Sequence, residues 1–202
     1  QIFNVPESKF TFMPFGLDKQ ETDLERSKLV NFDCPFLLSV GKSNRDYDFL
    51  IKAAEKINHP IVVLTDRFPS NVEIPNNITL FENVRGIEYS KLLNDCYAML
   101  IPLKDENLSS GQMVMLKSMQ FKKPVIVTQS NAISDYAVNG VNAIVCKKDV
   151  NEFSNAVEML FTDKDLYKNL QENGIKFCNE KYSQATLGKN VGALIEGVMR
   201  SK

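Results

Sequence analysis

The chain has 202 residues, with 24 basic and 25 acidic side chains and a net charge of −1. That balance leaves no broad basic field for nucleic acid or an anionic membrane. A single histidine excludes a His-rich zinc site and argues against a Ser-His-Asp triad. The 44% hydrophobic and 24% charged fractions suit a soluble globular protein long enough to bury one good-sized core.

The first 15 residues carry Glu7 and Lys9 and show no signal-like pattern, and an opening at Gln1 reads as a fragment. Residues 10–15 form an apolar, strand-like run closed by Pro14, Gly16 and Asp18, and residues 18–31 are polar and highly charged. Residues 1–33 are therefore expected to be a hinge or connector with a short helix, not an independent domain.

From Pro35 apolar runs alternate with helical patterns. Residues 36–40 read as a buried parallel strand ending at Gly41, and Phe49, Leu50, Ala53, Ala54 and Ile57 mark a helical face over 48–57. Strands follow at 61–64 and 78–81, a helix through Tyr89, Leu92, Leu93 and Cys96, and a strand at 98–101. Val114, Met115, Ser118 and Met119 line the next helix, before strands at 125–127 and, past the turn at Asn139 and Gly140, at 142–145. Phe153, Ala156, Val157, Leu160 and Phe161 make an amphipathic helix, and residues 163–181 and 182–199 read as two more. No run approaches the about 20 apolar residues of a membrane span.

Of the four cysteines, Cys34, Cys96, Cys146 and Cys178, no two form a Cys-x-x-Cys pair, and Cys96 and Cys146 sit in apolar patterns as core residues. A reducing, cytoplasmic setting is expected. His59, between Asn58 and Pro60, is expected in a loop.

Strands alternating with helices define an α/β fold with a parallel sheet and helices on both faces. Ligands of such sheets bind at the carboxyl ends of strands, near the switch in strand order. Two segments fall there. Ser109, Ser110, Gly111 and Gln112 precede a helix whose first N–H groups and dipole suit an anion. An ordinary serine-capped helix has the same local sequence. Lys42 and Arg45 follow the first strand and suit a diphosphate, the arginine through paired hydrogen bonds, although a solvated loop would read alike.

The arrangement resembles the carboxyl-terminal donor-binding domain of retaining GT-B "group 1" glycosyltransferases. Gly41-Lys42 with Arg45 is similar to the family's glycine and basic residues after the first strand. The stretch from Leu116 to Ile126, LKSMQFKKPVI, is similar to its lEAMa.GkPVI segment. That from Ile133 to Ala143 is similar to g..EiV.dG.nG, and Met13-Pro14-Phe15-Gly16-Leu17-Asp18 to its interdomain hinge. The resemblance implies a Rossmann-like half of a GT-B fold. Residues 34–182 would bind a nucleotide-sugar donor, and a helix at 183–202 would cross toward an amino-terminal, acceptor-binding domain absent from this chain.

The implied diphosphate contacts are Lys42, Arg45, Ser109, Ser110, Gly111 and Gln112, with Asn83, Val84 and Arg85 facing the base and no metal or other cofactor. The family's second motif glutamate, which holds the ribose hydroxyls, aligns with Lys117, and lysine donates hydrogen bonds without accepting them. Stepping back by the motif spacing gives Ser109, whereas a loop longer by three residues puts Glu106 in the first glutamate's place. Asp135 matches the downstream glutamate or caps a helix. The fragment alone is expected to be inactive, and its last helix to cross to the missing domain, pack on this one or form a homodimer. The whole enzyme, common in polysaccharide assembly, is expected in the cytoplasm, peripheral to the inner face of a membrane. A degenerate module that binds proteins and no nucleotide is the other expectation.

Overall fold

The computed structural model describes residue 6 and residues 9–200. Their elements in chain order are β1 (Leu37–Val40), α1 (Tyr47–Ala54), β2 (Ile61–Leu64), β3 (Ile78–Phe81), α2 (Gly86–Asp95) and β4 (Ala98–Ile101). Then come α3 (Gln112–Gln120), β5 (Val125–Thr128), β6 (Ile144–Cys146), α4 (Val150–Thr162), α5 (Lys164–Lys181) and α6 (Gln184–Arg200). The strands form one sheet in the order β3-β2-β1-β4-β5-β6, and every pairing is parallel. The chain builds outward from β1 to β3, then returns to the other side of β1 for β4, so the strand order switches between β1 and β4.

The period-two alternation of the strands divides the core. Leu38, Val62, Met99, Ile101, Val125 and Val127 pack with Leu92 and Leu93 of α2 and Met115, Leu116 and Met119 of α3. Leu37, Ile61, Val63, Leu100 and Ile126 pack on the other face with Leu50 and Ala53 of α1 and Phe153, Val157 and Leu160 of α4. Most of these side chains are fully buried, each stabilising the fold by about 1.5–3 kcal/mol relative to exposure. The long helix α5 joins both cores, through Cys178 to one and Leu170 to the other. Its Gly174 lets it close on α3, since a Cβ there would stand 3.2 Å from Met119 Cγ.

Three expectations are corrected. Residues 10–15 form no strand, because neither sheet edge takes their backbone, and Phe10 and Phe12 are both 63% exposed. Residues 18–31 form no helix. Their apolar side chains Leu24 and Val30, with Phe32 beyond, rest on the core at a spacing that suits an extended chain. The segment is pinned by Ser27 N–H donating to Asp95 Oδ2 at 2.7 Å. β6 begins later than expected because Asn142 belongs to the preceding turn, where its side chain accepts from Val138 N and donates to Tyr136 O.

The connector and the last helix meet. Leu17 N–H donates to Tyr182 O at 2.7 Å, Gln184 N–H to Leu17 O at 3.2 Å, and Gly16 lies against Leu187. Beyond that clasp α6 has no buried residue and exposes Val191, Leu194, Ile195 and Met199. No helix among the described residues is long and apolar enough to cross a membrane.

Candidate functional site

The switch between β1 and β4 brings together two loops that lie far apart in sequence. Asp46 N–H donates to Pro102 O at 2.9 Å and Lys104 N–H to Asn44 O at 3.1 Å. Asn44, at φ 54, also spans the gap with its amide, donating to Asp105 O and accepting from Asp105 N, each at 2.8 Å. Asparagine tolerates this left-handed backbone better than most residues.

Arg45 is the centre of the join. Its Nε donates to Val40 O at 2.9 Å, and its Nη1 to Ser43 O at 3.1 Å and Ser110 Oγ at 3.2 Å. The Ser110 hydroxyl donates back to Ser43 O at 3.0 Å. The guanidinium has no carboxylate partner among the described residues, and burial lowers its pKa from the ordinary arginine value. It lies against Gly41, at φ 122, where a Cβ would stand 3.0 Å from Nη2. The Arg45 bonds use Nε and Nη1, and no hydrogen bond from Nη2 is among those of the described residues. Tyr47, buried beneath, donates its hydroxyl to Gly41 O, and burial pushes its phenol up to about 12.

The serine-capped alternative for α3 does not form. Gly111 occupies the cap at φ 93, and no side chain caps the helix. Glycine is required twice over, by the positive φ and by Ile101 Cγ2, 3.2 Å from where a Cβ would stand. Gln112, buried, instead donates Nε2 to Ser109 Oγ at 2.8 Å. The uncapped start of α3, the positive end of its dipole, therefore lies beside Arg45, which bonds to Ser110 next to the cap.

The remaining residues separate along the same edge. Lys42 is exposed and pairs with Asp66 at 3.0 Å, and that hydrogen bond lowers the Asp66 pKa from its ordinary value. Both line a pocket of about 110 Å³ with Val40, Thr65, Asn83, Val84 and Arg85, at the ends of β1 to β3. Lys117 stands on α3 over the ring of Tyr89.

Glu106 is exposed on the far side of the β4–α3 loop. It shares a pocket of about 320 Å³ with Lys104, Gln129 and Lys147 at the ends of β4 to β6. The helix-cap role for Asp135 is corrected: no helix starts there, and it contributes its carbonyl, which accepts from Tyr182 Oη at 2.6 Å. A cavity of about 770 Å³ lies at the opposite edge of the sheet, where Arg26 and Lys123 are balanced by Asp33 and Asp95. It lacks the strand-end and helix-dipole features of the switch point.

Asn44, Tyr47, Asp66 and Tyr89 were not legible as site residues. Asparagine in a polar loop after a strand is the one local signal, and its partner is 61 residues away. Among the described residues no group of three or more His, Cys, Asp or Glu side chains is placed to hold a metal.

Residues 34–163 match the family described as glycosyl transferases group 1, and the chain belongs to that family. An uncharacterized glycosyltransferase of Methanocaldococcus jannaschii is 25% identical over 161 residues, covering 75% of this chain and 45% of the relative. The crystal structure of a glycosyltransferase from Rickettsia africae superposes with a TM-score of 0.80 at 16% identity, over 98% of this chain and 59% of that one. Anabaena HepE in complex with UDP-glucose gives a TM-score of 0.69 at 13% identity, over 81% of this chain and 49% of that one. The fold is thus the Rossmann-like α/β sheet of these enzymes. The chain spans about half the length of the relatives it matches.

Proposed function

We propose that this chain is the donor-binding half of a retaining glycosyltransferase and holds a nucleoside-diphosphate sugar across its carboxyl edge. One observation carries the reading. At the strand-order switch, a half-buried arginine without a carboxylate partner among the described residues bonds to the loop that leads into an uncapped helix start. Backbone N–H groups of α3, with Arg45 and Lys42, offset the charge of the diphosphate as the bond to the sugar breaks, with no metal required. The α3 N–H groups and Arg45 are in place before the ligand arrives, so their field acts without reorganisation.

The layout gives the ligand a direction. The base lies in the pocket by Asn83, Val84 and Arg85, the diphosphate at Ser109–Gln112 and Arg45, and the sugar beyond, toward Glu106. On this reading Glu106→Gln leaves binding of a nucleoside diphosphate unchanged and weakens that of its sugar conjugate several-fold, which calorimetry resolves. The acceptor, a glycan or a lipid-linked sugar, sits on an amino-terminal domain supplied by the rest of the polypeptide. Helix α6, with its apolar face uncovered, crosses back to it. The intact enzyme works in the cytoplasm, in polysaccharide assembly. That the relatives are glycosyltransferases and that HepE binds UDP-glucose supports this reading.

Thermal-shift titration with pyrophosphate, UDP, GDP, ADP and CMP tests it. At a hundredfold excess over Kd, a specific ligand stabilises the fold by about 2.7 kcal/mol. One or more diphosphates are expected to raise the melting temperature above CMP. A flat response to all five overturns the donor site and favours a degenerate module that binds proteins instead.

A further inference from the structure

At the amino edge of the sheet the connector bridges a gap. Ser27 N–H donates to Asp95 Oδ2 at 2.7 Å, and the chain meets the sheet again where Phe36 O accepts from Tyr97 N–H at 2.7 Å. Between those two points the connector, the turns before β4 and β5 and the side of α5 enclose the cavity of about 770 Å³. Small-ligand sites have volumes of about 300–1,000 Å³. The cavity lies away from the strand-order switch, and none of its lining residues belongs to the donor site.

The lining has two parts. Arg26 and Lys123 donate, Asp33 and Asp95 accept, and no ion pair among the described residues uses any of the four. The second part is ring surface. Tyr97 and Tyr167 stack with their centroids 4.3 Å apart, and their hydroxyls already donate to Leu160 O at 2.9 Å and Tyr97 O at 3.1 Å.

These features select a ligand class. Two cations and two carboxylates attract an ion of either sign with one pair and repel it with the other. A hydroxyl donates and accepts at once, so a neutral polyol satisfies both sets. Carboxylate and guanidinium groups are planar and bind neighbouring polar atoms in pairs. Rings whose polar ends are already bonded offer apolar surface to the C–H face of a sugar.

We propose that this cavity binds a neutral oligosaccharide, at a site separate from the donor site. The binding stands without the donor-site reading, and only its use rests on that reading. For an enzyme that extends a glycan, a second hold on the same glycan raises the effective concentration of the end being extended.

Cys34 reports on the site. It lines the cavity and is exposed, whereas Cys96, Cys146 and Cys178 are buried, their thiols pushed up to about 12, 12 and 11. Alkylation by N-ethylmaleimide, followed by intact mass, therefore reads Cys34. The probes are cellotriose, maltotriose, mannotriose and triacetylchitotriose, with pyrophosphate and UDP beside them. At least one of the neutral sugars is expected to slow alkylation, about tenfold at ten times its Kd. Arg26→Ala and Asp33→Ala change exposed side chains, and melting curves confirm that each variant is folded. Measured against its own unliganded rate, each needs about tenfold more of the protecting sugar. Protection by none of the sugars, equal protection in both variants, or protection by pyrophosphate as strong as that by a sugar overturns the proposal. UDP is expected to leave the alkylation rate unchanged and to bind the native chain and both variants alike in calorimetry. Failure of UDP to bind removes the donor site and leaves the oligosaccharide site standing, whereas UDP binding without sugar protection removes the oligosaccharide site alone.

Discussion

The carboxyl edge at β1 and β4 and the helix α6 satisfy their surfaces in opposite ways. At the edge the loops after β1 and β4 are tied to each other, with Arg45, Asn44 and Ser110 bonding across the switch. Along α6 no residue is buried, and Val191, Leu194 and Ile195 face outward although the helix is continuous to Arg200. The two loops of the edge bond to each other within this chain, whereas α6 leaves its apolar side chains exposed among the described residues. Under the proposed function, ligand binding belongs to this half and the cover of α6 comes from outside it.

The sharpest way to break the contrast is Arg45→Met. It removes the half-buried cation and leaves Val40 O without its side-chain donor, so affinity for pyrophosphate and UDP falls by about 2–3 kcal/mol, 30-fold or more in titration calorimetry. Lys42→Ala, with its partner exposed, weakens binding only about threefold. Next comes Gly111→Ala, which forces a side chain into the left-handed region against Ile101 and costs about 1–2 kcal/mol in urea unfolding.

Alkali separates the regions more gently. The Tyr47 phenol is raised to about 12 in the folded state. Its contribution is complete below the unfolded value, near pH 10, and is lost as pH rises toward 12, since the unfolded chain releases that proton first. Melting temperatures taken from pH 8 to 11.5 are expected to fall over the upper part of that range, and a Tyr47→Phe variant to fall less steeply. The smallest effect is at α6. Ile195→Glu changes the unfolding free energy of this chain by less than about 0.5 kcal/mol, yet suppresses any self-association seen by sedimentation. A large loss of stability there would show that α6 packs on this half after all.

The fold was readable from the sequence because parallel strands buried on both faces leave short apolar runs, here bounded by turn residues and alternating with helical patterns. The strand spans at 61–64, 78–81 and 98–101 coincide with the observed ones. Misreadings fall where long-range hydrogen bonds decide the backbone. Phe10 and Phe12 look like strand residues but find no sheet edge, and Asn142 is taken into a turn by its own side chain. The site was legible as positions and not as connections. Lys42, Arg45 and Ser110 do lie at strand ends, but that Arg45 holds Val40, Ser43 and Ser110, or that Lys117 stands on Tyr89, depends on contacts across the sheet that periodicity does not encode.

The three bonds that hold Arg45 set the thermodynamics of whatever it meets. A long cationic side chain normally gives up about 2 kcal/mol of rotamer freedom when a ligand fixes it. Arg45 has surrendered that freedom during folding, locked onto its own strand end in the space left by the missing Cβ of Gly41. Anion binding at this edge should thus carry little ordering entropy and depend weakly on temperature, and most of the conformational loss on ligation falls to Lys42.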